Sequence, residues 1–355
     1  MSFSLEKRTA IKKYMLDKIG DKQDFIKSTQ EAFQISLNTV YRYLRELIQE
    51  NAVTKTENGY VLTAERHFIR LKLKEGKKLQ EDRIYKKEIL PLIDDLPDNV
   101  REMWYYCFTE MMNNVIDHSD ADQADMLVSK NHASTSVVIH DNGIGLFRRI
   151  REYFNFDDTA DAVTELFKGK LTTDSAHHSG EGIFFTSQIA DVFLAISENM
   201  VFSRNPYEEA LSELKDIEKD TAQFVRGVQA FTGMSDTGTT IVIKISNSSN
   251  KTCRSIFDQY EDEDGGFTKT RIPLRNIYDL YPVSRSQAKS LSHRFERFEE
   301  VTLDFTGIPE IGQGFAHELF VVFHKTHPEI RLIPIGASDA VKKMLKHVMP
   351  EGEEI

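Results

Sequence analysis

The sequence predicts a multidomain α+β chain, and three observations carry the prediction. Its 355 residues are two to three times the length of a typical domain. Its apolar periodicity changes along the chain, from helical spacing near the N-terminus to alternating strands and helices further on. Its charge is unevenly divided: 45 Lys+Arg against 56 Asp+Glu give a net of −11, yet residues 1–90 hold 19 basic and 13 acidic residues, a net of +6, leaving −17 for the rest. A basic head on an acidic body is the asymmetry expected where one end meets nucleic acid. An apolar content of 40% supports packed cores and excludes wholesale disorder. The two cysteines, Cys107 and Cys253, form no CxxC pair. They exclude a disulfide framework and a cysteine-built zinc site, and they fit a reducing cytosol. With no apolar run of about 18 residues and no signal-peptide core at the N-terminus, the expected location is cytoplasmic, without a membrane partner.

Residues 5–50 read as three helices. Ile11, Met15 and Ile19 recur at i, i+4, i+8; Phe25 and Phe33 mark a second stretch; Val40, Leu44, Leu47 and Ile48 mark a third. Asn51–Thr63 reads as a hairpin turning at Asn58-Gly59, with Val53, Tyr60 and Leu62 as strand residues. Ser36 or Asn38 is placed to cap the third helix. Its opposite face offers Asn38, Thr39, Tyr41, Arg42 and Arg45, side chains able to reach bases or phosphates. This order resembles a winged helix-turn-helix over residues 1–63. The resemblance implies that the third helix enters the major groove of double-stranded DNA and that Lys55, on the hairpin, touches its backbone. Residues 64–94 are charged and read as a helical connector.

A long amphipathic helix is expected to start at Pro97. It places Glu110, Asn114 and His118 at i, i+4, i+8 on one face, whereas Asn113 lies about 100° away. A carboxylate there can orient or deprotonate water, and an amide oxygen is a hard ligand suited to Mg²⁺. A strand then ends in His140-Asp141-Asn142-Gly143-Ile144-Gly145, where glycines let the backbone approach a flat ligand and the aspartate can accept from an exocyclic amine. His177-His178-Ser179-Gly180-Glu181-Gly182 opens a further helix, a setting in which backbone N–H groups bind phosphates. Asp236-Thr237-Gly238-Thr239-Thr240 precedes the strand at 241–245.

In this order the four motifs resemble the Bergerat-type α/β sandwich ATPase shared by gyrase, Hsp90, histidine kinases and MutL (the GHKL group), in the flavour of the anti-sigma-factor kinases. The resemblance covers residues 95–250. It implies ATP and Mg²⁺ as cofactors, with Glu110 as general base or water-orienting group and Asn114 on Mg²⁺. Asp117 and His118 would line the nucleotide site, and Asp141 would hold the adenine amino group. Gly143, Gly145, Gly180 and Gly182 would shape the phosphate loops, and Thr239 would lie near adenine. Residues 146–179 would form the ATP lid, with Lys168 and Lys170 as phosphate contacts. A charged segment at about 200–233 departs from the compact kinases and reads as an insertion.

Residues 251–282 read as a linking hairpin region with an exposed acidic turn at Glu261–Asp264. Residues 283–355 read as helix, strand, helix, strand, helix and resemble a STAS-like domain. The turn that carries the phosphoacceptor in phosphorylatable STAS proteins reads Gly312, Gln313, Gly314 here, so protein docking is expected rather than serine phosphorylation. His317 reads as a helix-surface histidine. The fused order points to an ATP-responsive DNA-binding transcription regulator working as a slow ATPase switch, with a protein partner docked at its C-terminal domain and a homodimer as its expected assembly. The alternatives are a protein kinase acting on a separate partner and a catalytically degenerate scaffold.

Overall fold

The computed structural model describes residues 3–21, 23–57, 59–74, 79–170, 181–198, 200–205, 238–278 and 280–349. The N-terminal module contains α1 (Leu5–Gly20), α2 (Phe25–Phe33) and α3 (Leu37–Gln49), followed by the antiparallel pair β1 (Val53–Thr56) and β2 (Gly59–Leu62). Each helix starts where a side chain accepts an otherwise unpaired backbone N–H: Ser4 from Lys7, Asp24 from Ile26 and Lys27, and Ser36 from Thr39. Ile11, Met15, Ile19, Val40, Leu44 and Leu47 form a core of their own. Tyr43 joins it at 1% exposure while Ile48 faces outward at 37%, because Tyr43 completes the i, i+3, i+4, i+7 stripe and Ile48 lies beyond it.

Residues 64–94 depart from the expected helical connector. Glu65–Lys72 is a strand, β3, paired antiparallel with β4 (Gln123–Lys130). Ile69, Leu71 and Leu73 pack on the main core; their period of two is that of a half-buried strand, masked in the sequence by the charges between them. Helical structure follows only as α4 (Glu81–Ile84), a wide turn over Tyr85–Ile89 and α5 (Leu90–Ile93). Pro91 cannot donate within a regular α-helix, and the wide turn precedes it.

The middle of the chain is a six-stranded, all-antiparallel sheet in the order β3-β4-β5-β8-β6-β7, with β5 (Ser134–Asp141), β6 (Val192–Ser197), β7 (Met200–Ser203) and β8 (Thr239–Ser246). The expected long helix is α6 (Asp98–His118), introduced by Pro97. With α7 (Leu146–Phe154), α8 (Thr159–Lys168) and α9 (Gly182–Ile189), it contributes to one large core centred on Trp104, Phe108, Phe147 and Phe193. The expected insertion is shorter at its start than the sequence implied, since Met200–Ser203 is a strand of this sheet; the rest of it, from 206 to 233, lies outside the described residues.

The C-terminal module is a three-stranded parallel sheet, β11-β10-β9, built from β9 (Lys269–Pro273), β10 (Glu300–Asp304) and β11 (Arg331–Ile335). After α10 (Cys253–Phe257), which packs on α6 and α9 of the central module, the C-terminal helices are α11 (Leu274–Ile277), α12 (Arg285–Ser292), the continuous stretch from α13 (Gln313–His317) to α14 (His324–Thr326), and α15 (Asp339–Val348). The helix-strand alternation expected from 283 onward is present. The linking hairpin over 251–282 is reduced to the bridge Glu261↔Phe267, and Lys269–Pro273 is instead a sheet strand. This short strand ends at a proline and buries only Thr270 and Ile272 deeply, too few positions to establish a period.

Tyr43 yields a test of the N-terminal core. Its hydroxyl is buried without a hydrogen-bond partner, which costs about 1–3 kcal/mol. Tyr43→Phe should therefore raise the midpoint of urea unfolding of this module while leaving the outer face of α3 intact.

Candidate functional site

The centre of the site is the end of β5. Its register with β8 sets Asp141 opposite Thr239 and His140 opposite Thr240. The Asp141 carboxylate, 3% exposed, accepts the Gly143 N–H at 2.8 Å. Burial pushes its pKa up to about 6, against the opposing pull of the Gly143 and Thr239 backbone N–H groups. The following loop is pressed on the end of α6: Ile144 N donates to Ser119 O at 2.9 Å, and a Cβ on Gly143 would lie 2.1 Å from that same oxygen. Gly145, with φ +93°, occupies a region that only glycine adopts freely, and it opens α7. The Thr239 hydroxyl accepts the Leu146 N–H at 2.9 Å, so β8 also fixes where that helix begins. Gly238 closes the set, since a Cβ there would lie 2.0 Å from the Asp141 carbonyl oxygen.

Two turns earlier on α6, Glu110 abuts the first residue of α9: a Cβ on Gly182 would lie 2.1 Å from its Oε2. Asn114, Asp117 and His118 continue along the helix toward Ser119, all half-buried like Glu110. From Glu110 to Ser119 the helix rises about 14 Å. The structure thus brings Glu110, Asn114, Asp117, His118, Asp141, Gly143, Gly145, Gly182 and Thr239 along one side of α6 and the adjoining loops. Gly180, with His177, His178 and Thr237, lies outside the described residues.

The lid lysines stand elsewhere. Lys168 is 1% exposed, and its ammonium bonds Glu165 at 2.6 Å and the His293 carbonyl at 2.8 Å. Lys170 donates to the Arg297 carbonyl at 2.8 Å and lies over the rings of Phe298 and Phe267. Both expected phosphate contacts are therefore engaged with the C-terminal module, drawn there by unpaired carbonyls and aromatic faces. Sequence reasoning missed their partners Glu165 and Arg294, and it missed Arg204, which bonds the neighbouring Phe167 carbonyl. The available signal was Glu165 and Lys168 at i, i+3 on a helix whose neighbours Ala162, Val163, Leu166 and Phe167 are apolar and buried.

On the N-terminal module, Asn38, Tyr41, Arg42 and Arg45 are exposed along one face of α3, and Lys55 is exposed on β1. Thr39 is half-buried and shares a hydrogen bond with the Ser36 hydroxyl at 3.0 Å. The Arg42 guanidinium stacks 4.9 Å from the Tyr43 ring centre, and Arg45 Nε reaches the Tyr41 carbonyl at 3.3 Å.

Gly312 has a packing role, whereas Gly314 makes only ordinary contacts. The Gly312 N–H donates to Pro282 O at 2.9 Å, the Phe315 N–H donates to Val283 O at 3.3 Å, and a Cβ on Gly312 would lie 2.4 Å from Val283 O. The segment before α12 thus caps the start of α13, and glycine is required for that approach. His317 is half-buried rather than on the surface, and its Nδ1 has no hydrogen-bond partner.

Residues 287–342 match the family model of a STAS-like domain of unknown function, DUF4325. The match runs from within α12 into α15 and leaves β9 outside. No curated protein matches the chain. Among the described residues, no helix is long and apolar enough to cross a membrane, and no group of three or more His, Cys, Asp or Glu could hold a metal ion.

Asp141 gives a pH-dependent test. A carboxyl whose folded pKa is raised from 3.8 to about 6 binds its proton more tightly in the folded state, so stability falls as pH rises through that window. Asp141→Asn keeps an acceptor for Gly143 and removes the buried charge. Its melting temperature should exceed wild type at pH 7.5, and the gap should close toward pH 4. By contrast, Gly143→Ala should lower stability by about 2 kcal/mol in urea unfolding, because the added methyl meets backbone.

Proposed function

We propose that the chain is an ATP–Mg²⁺-responsive regulator that binds double-stranded DNA through its N-terminal module and a protein partner through its STAS-like domain. The observation that carries this reading is the buried Asp141 carboxylate at the end of β5, held by Gly143 and flanked by Thr239. A buried carboxylate with spare acceptor capacity suits an exocyclic amine, and the glycine loop beside it suits the face of a purine. Further along α6, Asn114 offers an amide oxygen to Mg²⁺. Glu110 stands beside Gly182, where a carboxylate can orient water against a terminal phosphate. The distance along α6 suits an elongated ligand with a ring at one end and a charged tail at the other. Support for DNA comes from Asn38, Tyr41, Arg42 and Arg45, exposed along one face of α3, rather than from bulk charge, because residues 1–63 carry 10 basic against 8 acidic residues, a net of +2, and the remainder of the basic excess in residues 1–90 belongs to the central sheet and its flank.

In this reading Asp141 and the glycine loop bind, Asn114 positions the metal, and Glu110 assists hydrolysis. A nucleotide can alter DNA binding only through a difference in affinity between two arrangements of the chain.

Titration with ATP–Mg²⁺, followed by DNA binding at fixed salt with and without nucleotide, tests the proposal. Wild type should bind nucleotide, and its DNA affinity should change on nucleotide binding; equal DNA affinity in both conditions would refute the coupling. Asp141→Asn should weaken nucleotide binding, whereas Glu110→Ala should retain binding and lose phosphate release. In DNA binding, Arg42→Ala and Arg45→Ala should each weaken affinity, and loss of a phosphate contact should reduce the salt slope by about one.

A further inference from the structure

The stretch from α8 to Lys170 is fastened to the C-terminal module by a buried polar cluster. Glu165 and Lys168 form an ion pair at 2.6 Å with side chains 4% and 1% exposed. Besides Glu165 and the His293 carbonyl, the Lys168 ammonium reaches Ser290 O at 3.3 Å, which uses all three of its hydrogens. Its backbone carbonyl accepts from the Thr270 hydroxyl on β9 at 2.7 Å. One turn back, Asp161 accepts from the Ser290 hydroxyl at 2.8 Å.

Beyond the helix, the Lys170 carbonyl accepts from Arg294 at 2.9 Å and from Arg297 at 3.2 Å. The Arg294 guanidinium also lies 4.5 Å from the ring centre of Phe154 in α7. Lys170 and Arg294 have φ of +52° and +67°, a region that L-residues adopt at a cost and keep only when surrounding contacts hold them. Arg204, at the end of β7, bonds the Phe167 carbonyl at 2.8 Å, the Ser187 hydroxyl in α9 at 2.8 Å and the Arg271 carbonyl in β9 at 3.2 Å. One side chain therefore joins α8, α9 and the C-terminal sheet. On the side of the candidate site, the end of α8 packs on α9: a Cβ on Gly169 would lie 2.9 Å from the ring of Phe184, two residues after the Gly182 that meets Glu110.

We propose that the C-terminal module positions the nucleotide site: Arg294 and the Ser290–His293 turn fix residues 159–170 against α9, whose first residue Gly182 meets Glu110, so nucleotide affinity and the contact of that module are linked. Arg294 is a positioning residue in this arrangement, and the inference rests on the nucleotide-binding reading above. Linkage is reciprocal, so nucleotide must in turn tighten the contact of residues 290–297. A buried ion pair contributes little net stability compared with apolar packing; here its consequence is placement. Preorganising 159–170 removes an ordering cost from binding.

The test uses the full-length chain. ATP–Mg²⁺ is titrated calorimetrically into wild type, Arg294→Leu, Arg294→Lys and, as a control away from the contact, Arg331→Gln. Amide hydrogen exchange across residues 290–297 is followed with and without ATP–Mg²⁺. Arg294→Leu should weaken binding on the order of tenfold, Arg294→Lys should recover part of the loss, and Arg331→Gln should match wild type. Nucleotide should slow exchange at 290–297 in wild type but not in Arg294→Leu. Should Arg294→Leu not fold, Ser290→Ala removes the bond to Asp161 and should weaken binding about threefold. Wild-type affinity in a folded variant, or exchange at 290–297 that ignores nucleotide, overturns the positioning role and leaves the nucleotide site standing. Absence of nucleotide binding by wild type overturns both.

Discussion

The pairing of β5 with β8 is the constraint from which the rest of the site follows. It joins residues about a hundred positions apart and sets Asp141 across from Thr239. A slip of one residue would turn Asp141 to the opposite face of the sheet, separating it from the loop at Ser119 and leaving the start of α7 without the Thr239 hydroxyl. The glycines at 143 and 238 are consequences of the same register, because each lies where two backbones are brought closer than a side chain allows, and Gly145 follows them because the turn into α7 needs its positive φ. The raised pKa of Asp141 is a further consequence, since a carboxylate placed at this crossing is cut off from water.

Much of this was legible in the sequence because local chemistry and tertiary role coincided. Ser36 caps α3, Pro97 introduces α6, and the run from His140 to Gly145 turns where its glycines require. The spacing of Glu110, Asn114 and His118 placed them along one side of α6 before any coordinate was known. What failed had a different physical origin. The strand Glu65–Lys72 alternates Ile69 and Leu71 with arginine and lysine, and its charge density resembles that of an exposed helix. Strand Lys269–Pro273 has only five residues and is specified by its partner β10 more than by its own pattern.

Lys168 and Lys170 illustrate a separate limit. Their positions suited a phosphate-binding role by analogy, and nothing local opposed it. Their partners, the carbonyls of Ser290, His293 and Arg297, carry no sequence signature, because any residue supplies a carbonyl. The glycines at 312 and 314 were informative only in part. The lack of a hydroxyl is visible in the sequence, but the reason for glycine at 312 is the Val283 backbone lying against it.

The distribution of apolar contacts gives the chain a simpler mechanical organisation than its sequence. The main core runs from Ile84 through Trp104 and Phe193 to Leu345, with Leu127, Val138, Leu194, Ile196 and Val242 clustered apart from it on strands of the same sheet, whereas Ile11 through Val53 form a separate, N-terminal one. Joined to the former at Gly20, which approaches Ala133, and through His132 beside Asp17, the N-terminal core has little shared apolar surface with which to transmit strain. The chain is three modules in sequence but two in packing: the sheet and the STAS-like domain share one core, so a cavity opened in either loosens the other, whereas the N-terminal bundle closes around apolar residues of its own.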